Sequence, residues 1–273
     1  ELIASLNNSD QTNITPYLDV QLLLTKYKQA KSRLLLFDYD GTLTPIVRMP
    51  SQAIPPPDML EALQKLVDDP KNTVWIISGR GQDKLEEWLG DIKKLGFSAE
   101  HGCFLRYPEQ DKWINLTEDI DMSWQNDVKE IFTYFTERTQ GSSIEYKRSS
   151  ITWHYRQADP EYGAFQAKEC QNHLEGAILP KLPVEILLGK KNLEGEIVKR
   201  LLTNMQNVDF VFCAGDDKTD EDMFRVLKRA PDFNEIDYFT TTIGAPNKKT
   251  LASWHVSSPE ELIQTMKKLA DSN

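Results

Sequence analysis

The sequence lacks several features that mark particular classes of protein. It has no apolar run of about 18 residues, so no segment is predicted to cross a membrane. It also has no excess of basic residues: it contains 32 Lys and Arg and 42 Asp and Glu, which gives a net charge of −10. Binding to a phosphate backbone needs clustered positive charge, so a nucleic-acid partner is not expected. No internal repeat or low-complexity segment is found.

Cysteines are few, and the first residues of the sequence have no signal-peptide pattern. The three cysteines, Cys103, Cys170 and Cys213, are odd in number and scattered, which indicates a reducing, cytoplasmic compartment rather than a disulfide framework. Residues 1–4 include no initiator Met and no signal-peptide pattern, so we expect a domain of a longer protein. With 273 residues, 40% of them hydrophobic, the chain can form one large globular domain or two modest ones.

Apolar strands alternate with amphipathic helices in both terminal parts of the chain. Strands are predicted at residues 34–37, 73–77, 97–99, 210–214 and 238–243. Helices are predicted at residues 18–30, 58–67 (with Asp58 as N-cap), 196–205, from 221 onward and at 259–269, and one more follows residue 80, with Leu85, Trp88 and Leu89 as its apolar stripe. This alternation is typical of βαβ units with right-handed crossovers. We therefore predict an α/β fold with a Rossmann-like core built on a parallel sheet.

The pattern changes after residue 107 and returns at residue 195. The intervening elements are predicted as helices at residues 122–138 and 161–175 and strands at 143–147, 150–156 and near 184–188. We predict a discontinuous core of residues 1–107 and 195–273, interrupted by a smaller inserted α+β cap at residues 108–194.

Two aspartates follow the first predicted strand. Asp38 and Asp40 point the same way because side chains in extended backbone alternate with a period of two. Ligands of open α/β sheets bind beyond the carboxyl ends of the strands. Two carboxylates facing one pocket repel each other, so a bound cation or a shared proton is expected. The alternative, a plain Asp-Gly turn, requires only one of these residues.

Two further motifs follow predicted strands. Four acids lie in the six residues 216–221, and Asp216, between strand and helix, is predicted to bind a hard cation such as Mg²⁺. Asp220 and Glu221 are instead explained as acids in a solvated first helical turn. Ser78-Gly79-Arg80 follows the second strand, where a hydroxyl and free N–H groups suit a phosphate. Too few glycines follow for a dinucleotide fingerprint.

The predicted cap strands share one polar face. Its side chains are Glu145, Lys147, Thr152, His154 and Arg156. Such a face can hydrogen-bond the hydroxyls of a sugar, and the alternative is a solvated surface. Lys190, Asn192 and Glu194 lie on one side of a later extended segment. His101 and His154 are either ligands or packing residues.

The strand-end motifs resemble those of the haloacid-dehalogenase-like phosphohydrolases. The resemblance implies that Asp38 is a nucleophile that forms an aspartyl-phosphate and that Asp40 is the general acid and base. It also implies that Asp38, the backbone carbonyl of Asp40, and Asp216 hold Mg²⁺, while Ser78 and Gly79 hold the phosphate. Phosphoryl-transfer ATPases of the superfamily have Thr in place of Asp40, so this residue points to hydrolysis.

A narrower resemblance is to the trehalose-6-phosphate phosphatases. It rests on Asp-Tyr-Asp-Gly-Thr-Leu-Thr-Pro, Ile-Ser-Gly-Arg, Ala-Glu-His-Gly, Gly-Lys-x-Asn-x-Glu and Gly-Asp-Asp-x-Thr-Asp-Glu, in that order. It implies Mg²⁺-dependent hydrolysis of trehalose 6-phosphate, and a synthase-like partner or fused domain. The substrate-binding residues that it implies are Arg80, Glu100, His101, Gly102, Glu145, Lys147, Lys190, Asn192 and Glu194.

One motif departs from this family. A lysine that neutralises nucleophile and phosphate is expected immediately before Gly195, yet Glu194 stands there, as if a short loop were deleted. Either that loop is absent from this version of the chain or another cation takes over. We favour the first and assign no third-motif lysine. The alternatives are another cap-bearing sugar phosphatase, for example one for sucrose 6-phosphate, and a catalytically silent domain that regulates a synthase.

Overall fold

The computed structural model describes residues 14–118, 123–146, 151–178, 194–205, 207–229 and 236–272. Lys147, Lys190, Asn192 and the strand predicted near 184–188 lie outside these ranges. Within them, no helix is long and apolar enough to cross a membrane. The three cysteines are free thiols, as the scattered positions predicted.

The described strands form one eight-stranded sheet and one hairpin. The strands are β1 (Arg33–Asp38), β2 (Asn72–Ile77), β3 (Leu95–Ala99), β4 (Phe104–Arg106), β5 (Ile114–Asn115), β6 (Ser143–Tyr146), β7 (Ile151–His154), β8 (Phe210–Gly215), β9 (Asp237–Ile243) and β10 (Trp254–Val256). The large sheet has the order β10-β9-β8-β1-β2-β3-β4-β5. Strands from β10 to β3 are parallel, whereas β4 and β5 are antiparallel additions. The predicted parallel α/β core is confirmed.

Six of the described helices cover the two faces of this sheet. The described helices are α1 (Val20–Gln29), α2 (Pro57–Asp68), α3 (Gln82–Leu89), α4 (Trp124–Arg138), α5 (Pro160–Ala177), α6 (Glu194–Asn204), α7 (Asp220–Arg229) and α8 (Pro259–Ala270). Apolar side chains of α1, α2, α3 and α8 pack on one face, and those of α6 and α7 pack on the other. All six residues of the central strand β1 are consequently buried, which explains its continuous apolar run.

One helix start differs from the prediction. Pro56 occupies the N-cap of α2 and Pro57 opens the helix. A proline fits this position because its missing N–H would have no intrahelical partner and its fixed φ suits a helix. Asp58 therefore lies in the first turn, not at the cap.

The elements α4, β6, β7 and α5 have a small hydrophobic cluster of their own. Its buried members are Val128, Phe132, Phe135, Cys170, Leu174 and Ile178. The register of the hairpin pairs Glu145 with Thr152 and Ile144 with Trp153, so polar and apolar residues alternate between its faces as predicted. The large sheet includes β5, which lies on the cap side of the boundary predicted at residue 107. The division into core and cap stays a prediction.

Candidate active site

Three predicted motifs meet at the carboxyl edge of the large sheet. Asp38 is the last residue of β1, Asp216 follows the last residue of β8, and Ser78 follows the last residue of β2. Because β8, β1 and β2 are adjacent and parallel, their carboxyl ends lie side by side. The topology thus brings a nucleophile candidate, a metal-ligand candidate and a phosphate-binding candidate to one place.

Three carboxylates form the centre of this edge. Oxygens of Asp38, Asp216 and Asp220 all lie within 4.8 Å of one another. Burial raises the pKa of Asp38 well above its ordinary value, and the negative charges of Asp220 and Glu194 raise it further. Burial likewise raises the pKa of Asp220. The cluster therefore holds more negative charge than its surroundings neutralise, which suits a bound cation.

The solvated position predicted for Asp220 is wrong. Its side chain is fully buried, and Oδ2 accepts a hydrogen bond of 2.9 Å from the backbone N–H of Asp217. Its other oxygen, Oδ1, is buried and has no hydrogen-bond partner among the described residues. Asp220 can fold back because Gly215 has no side chain: a Cβ there would lie 2.2 Å from Asp220 Cγ. The prediction failed because it considered only the first turn of the helix. It did not consider the glycine at the end of β8, which leaves room for the Asp220 side chain to turn inward.

Glu221 is also not a solvated helix-start acid. It accepts hydrogen bonds of 2.5 Å from Thr250 Oγ1 and of 2.6 Å from the backbone N–H of Leu251. Both donors belong to the segment that follows β9. This contact fastens residues 216–221, here called the acidic loop, to residues 244–252, here called the return loop.

The turn after β1 orients Asp38 and leaves space for Asp216. Thr42 Oγ1 donates a hydrogen bond of 3.0 Å to Asp38 Oδ2. Gly41 has φ +79°, a conformation that favours glycine, and a Cβ on it would lie 2.3 Å from Asp216 Oδ2. The structure thus explains two residues of the Asp-Gly-Thr motif. The threonine donates a hydrogen bond to Asp38, and the glycine leaves room for the Asp216 carboxylate.

Gly41→Ala is expected to weaken cation binding severely and to reduce the activity expected of Asp38, because the new methyl group displaces the Asp216 carboxylate. A matched control is Gly176→Ala in α5, where an added Cβ meets no atom within 4 Å. That variant is expected to keep full activity and to gain about 0.5–1 kcal/mol of stability from helix propensity. Phosphate release and thermal unfolding of the two variants check this. Normal activity in Gly41→Ala would contradict the assigned position of Asp216.

Asp40 is held by an arginine from the neighbouring strand end. Arg80 donates two hydrogen bonds to its carboxylate, Nε to Oδ2 at 2.8 Å and Nη2 to Oδ1 at 2.6 Å. The guanidinium carbon lies 5.0 Å from the Trp88 ring centroid, and Tyr39 stacks on the same ring. The hydrogen bond to Asp40 raises the pKa of Arg80, and the charge of Glu145 in β6 adds to the rise. Arg80, predicted to bind substrate, therefore contacts the acid/base candidate.

The segment after β3 packs against the phosphate-binding candidates. Ser78 is fully buried, and its Oγ accepts a hydrogen bond of 3.1 Å from the Arg80 N–H. His101 lies over Gly79, where a Cβ would come within 2.3 Å of the imidazole Nε2. Glu100, His101 and Gly102 all have positive φ, at 48°, 54° and 101°. Positive φ is unstrained for Gly102 but strained for Glu100 and His101, and such strain is typical of a functional site.

Two polar pairs connect the remaining predicted substrate residues. Nδ1 of His101 lies 3.1 Å from Oε1 of Glu194, whose side chain is only 1% exposed. Nε2 of His154 lies 2.7 Å from Oε2 of the exposed Glu145 on the polar face of the hairpin. His101 is thus both a packing residue and a hydrogen-bonding residue. The contacts of the other cap residues predicted to bind sugar fall outside the described ranges.

The family model of the trehalose-phosphatases matches residues 36–260, which include every motif described above. The chain belongs to the trehalose-phosphatase family.

The chain is similar to proteins named as trehalose phosphatases and to one named as a trehalose-phosphate synthase. A trehalose-phosphatase of Schizosaccharomyces pombe is 49% identical over 285 residues, covering 99% of this chain and 35% of the relative. The Aspergillus fumigatus trehalose-6-phosphate phosphatase structure, crystal form 3, is 50% identical with a TM-score of 0.73, covering 95% of this chain and 100% of that one. An alpha,alpha-trehalose-phosphate synthase [UDP-forming] B of Dictyostelium discoideum is 40% identical over 280 residues, covering 98% of this chain and 34% of the relative. The chain thus spans about a third of the length of these curated relatives.

Three side chains near this site have positions that the sequence did not predict. Asp220 completes the carboxylate cluster, Glu221 fastens the acidic loop, and Lys248 donates to the backbone carbonyl of Asp216. The spacing of Asp220, four residues after Asp216, gave no signal, because residues 216–219 form a turn and α7 begins only at Asp220. Glu221 and Lys248 gave no local signal, since their partners are distant in sequence.

Proposed function

We propose that the protein is a phosphoric monoester hydrolase that converts trehalose 6-phosphate to trehalose and inorganic phosphate through an aspartyl-phosphate on Asp38. The observation that carries the proposal is the meeting of Asp38, Asp216 and Asp220 at the strand ends, within 4.8 Å. The half-identical fungal relatives named as trehalose phosphatases support the choice of substrate.

The carboxylate cluster fits a magnesium ion. All its donor atoms are hard oxygens, which Mg²⁺ prefers. The unpartnered, buried Oδ1 of Asp220 supports a cation here, because a buried polar oxygen is unfavourable without a partner. Asp38, Asp216 and the backbone carbonyl of Asp40 would hold the ion, with Asp220 beside them. When bound, Mg²⁺ supplies positive charge that offsets the carboxylates and the phosphate oxygens.

Asp38 is proposed to attack phosphorus in line with the ester bond. An oxygen of its carboxylate bonds to phosphorus while the bond from phosphorus to the sugar oxygen breaks. Thr42 supports this role, because its hydrogen bond to Oδ2 fixes the orientation of the attacking group. Water then attacks the aspartyl-phosphate, the bond from phosphorus to Asp38 breaks, and phosphate leaves.

Asp40 is proposed to donate a proton to the departing sugar oxygen and later to accept one from the attacking water. Both its oxygens accept hydrogen bonds from Arg80, an arrangement that suits the carboxylate form needed for the second step. Proton donation in the first step requires one of these bonds to break. Asp40→Asn is expected to lower the rate by roughly 10²–10⁴-fold.

The cap is proposed to select the disaccharide. Trehalose 6-phosphate and glucose 6-phosphate present the same primary phosphate ester, so discrimination depends on contacts with the second glucose. A site built for hydroxyl groups rejects an analogue that leaves its polar groups unpaired. Glu145 faces the same side of the hairpin as Thr152 and His154, and its charge reaches Arg80. Lys147, Lys190, Asn192 and Glu194 remain predicted sugar-binding residues, with Glu100, His101 and Gly102 beside the phosphate.

Glu145→Gln is expected to lower kcat/KM for trehalose 6-phosphate about 30-fold, equivalent to about 2 kcal/mol of a charged hydrogen bond. Hydrolysis of p-nitrophenyl phosphate is expected to stay within about twofold, because its leaving group does not reach the cap. Glu130→Gln, an exposed acid on α4, is the matched control. Equal losses on both substrates would mean that Glu145 supports Arg80 and the core chemistry instead of the sugar.

A catalytically silent regulatory domain is the second candidate, favoured by the absence of a lysine immediately before Gly195. Phosphate release from trehalose 6-phosphate with Mg²⁺ separates the two. The proposed enzyme releases phosphate, whereas a silent domain binds the sugar phosphate without releasing it. The cluster of Asp38, Asp216 and Asp220 argues against a catalytically silent domain, since a domain that only binds a sugar phosphate does not require three adjacent carboxylates.

The wider setting of the domain is also part of the proposal. A synthase-like partner or fused domain is supported by the Dictyostelium relative, whose name is that of a synthase and of which this chain covers 34%. A cytoplasmic location is supported by the three free cysteines.

A further inference from the structure

The return loop contacts the back of the acidic loop through a lysine. Lys248 Nζ donates a hydrogen bond to the backbone carbonyl oxygen of Asp216. It also lies 3.1 Å from Thr242 Oγ1 and 3.1 Å from the backbone carbonyl oxygen of Ile243. The ammonium therefore joins the end of β9 to the residue that follows β8.

These contacts use the full donor capacity of the side chain. An ammonium group has three N–H donors and no acceptor. Lys248 has three acceptors around it, all of them from the protein. It consequently has no donor left for a substrate phosphate, and it is not a replacement for the lysine missing before Gly195. Its contribution to the site is the hydrogen bond that it donates to the backbone of Asp216.

The acidic loop is fastened at a second point by the same return loop. Glu221 accepts hydrogen bonds from Thr250 Oγ1 and the Leu251 N–H. Thr250 Oγ1 in turn accepts one of 3.0 Å from the Ala252 N–H. The two attachments, at Asp216 and Glu221, lie at the two ends of the segment that carries the carboxylates of Asp216 and Asp220.

We propose that Lys248 is a positioning residue for the metal ligand Asp216, with the Glu221 contact as the second anchor. Like charges on Asp38, Asp216 and Asp220 repel one another, and this repulsion favours an outward shift of the acidic loop. Asp216 is half-buried, whereas Asp220 is fully buried, so an outward shift of Asp216 requires less rearrangement of its surroundings. A hydrogen-bonded ammonium on its backbone opposes that shift and keeps the carboxylate where a cation needs it. This inference rests on the proposed cation site but not on the identity of the sugar.

The charge and the positioning of Lys248 have opposite effects on cation binding. If only its positive charge mattered, Lys248→Met would strengthen binding of a divalent cation, since a repulsive charge is removed. If it positions Asp216, the same variant weakens binding. We expect the dissociation constant for Mn²⁺, measured by electron paramagnetic resonance without any sugar phosphate, to rise about tenfold, the loss of about 1.4 kcal/mol.

Lys248→Arg keeps donors and charge and is expected to stay within about threefold of the wild type. A loss in Lys248→Met but not in Lys248→Arg assigns the effect to the donors, because Met has similar bulk and no N–H donor. Lys249→Met, at the exposed neighbouring lysine, is the matched control and is expected to bind Mn²⁺ normally. Glu221→Gln tests the second anchor and is expected to weaken binding. Circular dichroism and thermal unfolding establish that each variant is folded. If Lys248→Met does not fold, Lys248→Gln, which retains two donors, takes its place with the same expected direction.

Unchanged or tighter Mn²⁺ binding in a folded Lys248→Met variant overturns the inference. Absence of Mn²⁺ binding in the wild type overturns the cation site, and the inference with it. Mn²⁺ binding that depends on Lys248, in a protein that does not hydrolyse trehalose 6-phosphate, supports the inference while contradicting the proposed substrate. The two proposals therefore fail separately.

Discussion

Asp38→Asn is expected to abolish release of phosphate from trehalose 6-phosphate while leaving the fold intact. The amide has no anionic oxygen to attack phosphorus, so the rate is expected to fall by at least about 10⁴-fold. The new side chain has nearly the same shape, and its Oδ1 can still accept the hydrogen bond of Thr42. It also removes a buried negative charge beside Asp216 and Asp220, which lessens repulsion in the cluster.

The measurement is phosphate release followed over hours, beside thermal unfolding of the same preparations. Asp91→Asn makes the same chemical change at an exposed position after α3, and it is expected to retain wild-type activity and stability. Substantial turnover by a folded Asp38→Asn variant would be incompatible with a covalent intermediate on this residue.

Removal of divalent cations is expected to stop hydrolysis completely, and Mg²⁺ is expected to restore it. The carboxylate cluster and the substrate phosphate bring several negative charges together, so binding of the phosphate as well as its transfer depends on a compensating cation. Ca²⁺ is expected to substitute poorly, because its larger and looser coordination shell does not impose octahedral geometry.

A second readout for the cation does not depend on activity. Mg²⁺ is expected to raise the unfolding temperature of the wild type, since a ligand that binds only the folded state stabilises it. Asp216→Asn is expected to lose most of this rise. Full activity after exhaustive chelation, or an equal rise in both proteins, would remove Asp216 from the role assigned to it.

The sequence was sufficient to place the centre of the site. The apolar run before Asp38 requires a strand that is buried on both faces, and only a parallel sheet between helix layers provides this. Once the strands are parallel, residues after their carboxyl ends converge, which predicted the meeting of Asp38, Ser78 and Asp216. The regular helices were predictable for a similar reason, because their apolar positions repeat with the helical period.

The remaining features depend on contacts between distant residues. The local sequence around Asp220 and Glu221 is typical of acids at the start of a helix. Asp220 faces inward because Gly215 leaves room for it, and Glu221 faces inward because it accepts a hydrogen bond from the return loop. The pairing of Arg80 with Asp40 follows from the adjacency of β1 and β2, not from either motif alone. The strands β4, β5 and β10 were missed since each has only two or three residues, too few to show a period.

We expect this site to hydrolyse trehalose 6-phosphate in preference to related sugar phosphates. The most direct test mixes equal concentrations of trehalose 6-phosphate, sucrose 6-phosphate and glucose 6-phosphate with the wild-type protein and Mg²⁺, and follows each ester by ³¹P nuclear magnetic resonance. Relative rates in such a mixture give ratios of kcat/KM directly. Trehalose 6-phosphate is expected to disappear first, with kcat/KM at least about 10²-fold above that for either competitor. Consumption of all three at similar rates, or of sucrose 6-phosphate first, would contradict it.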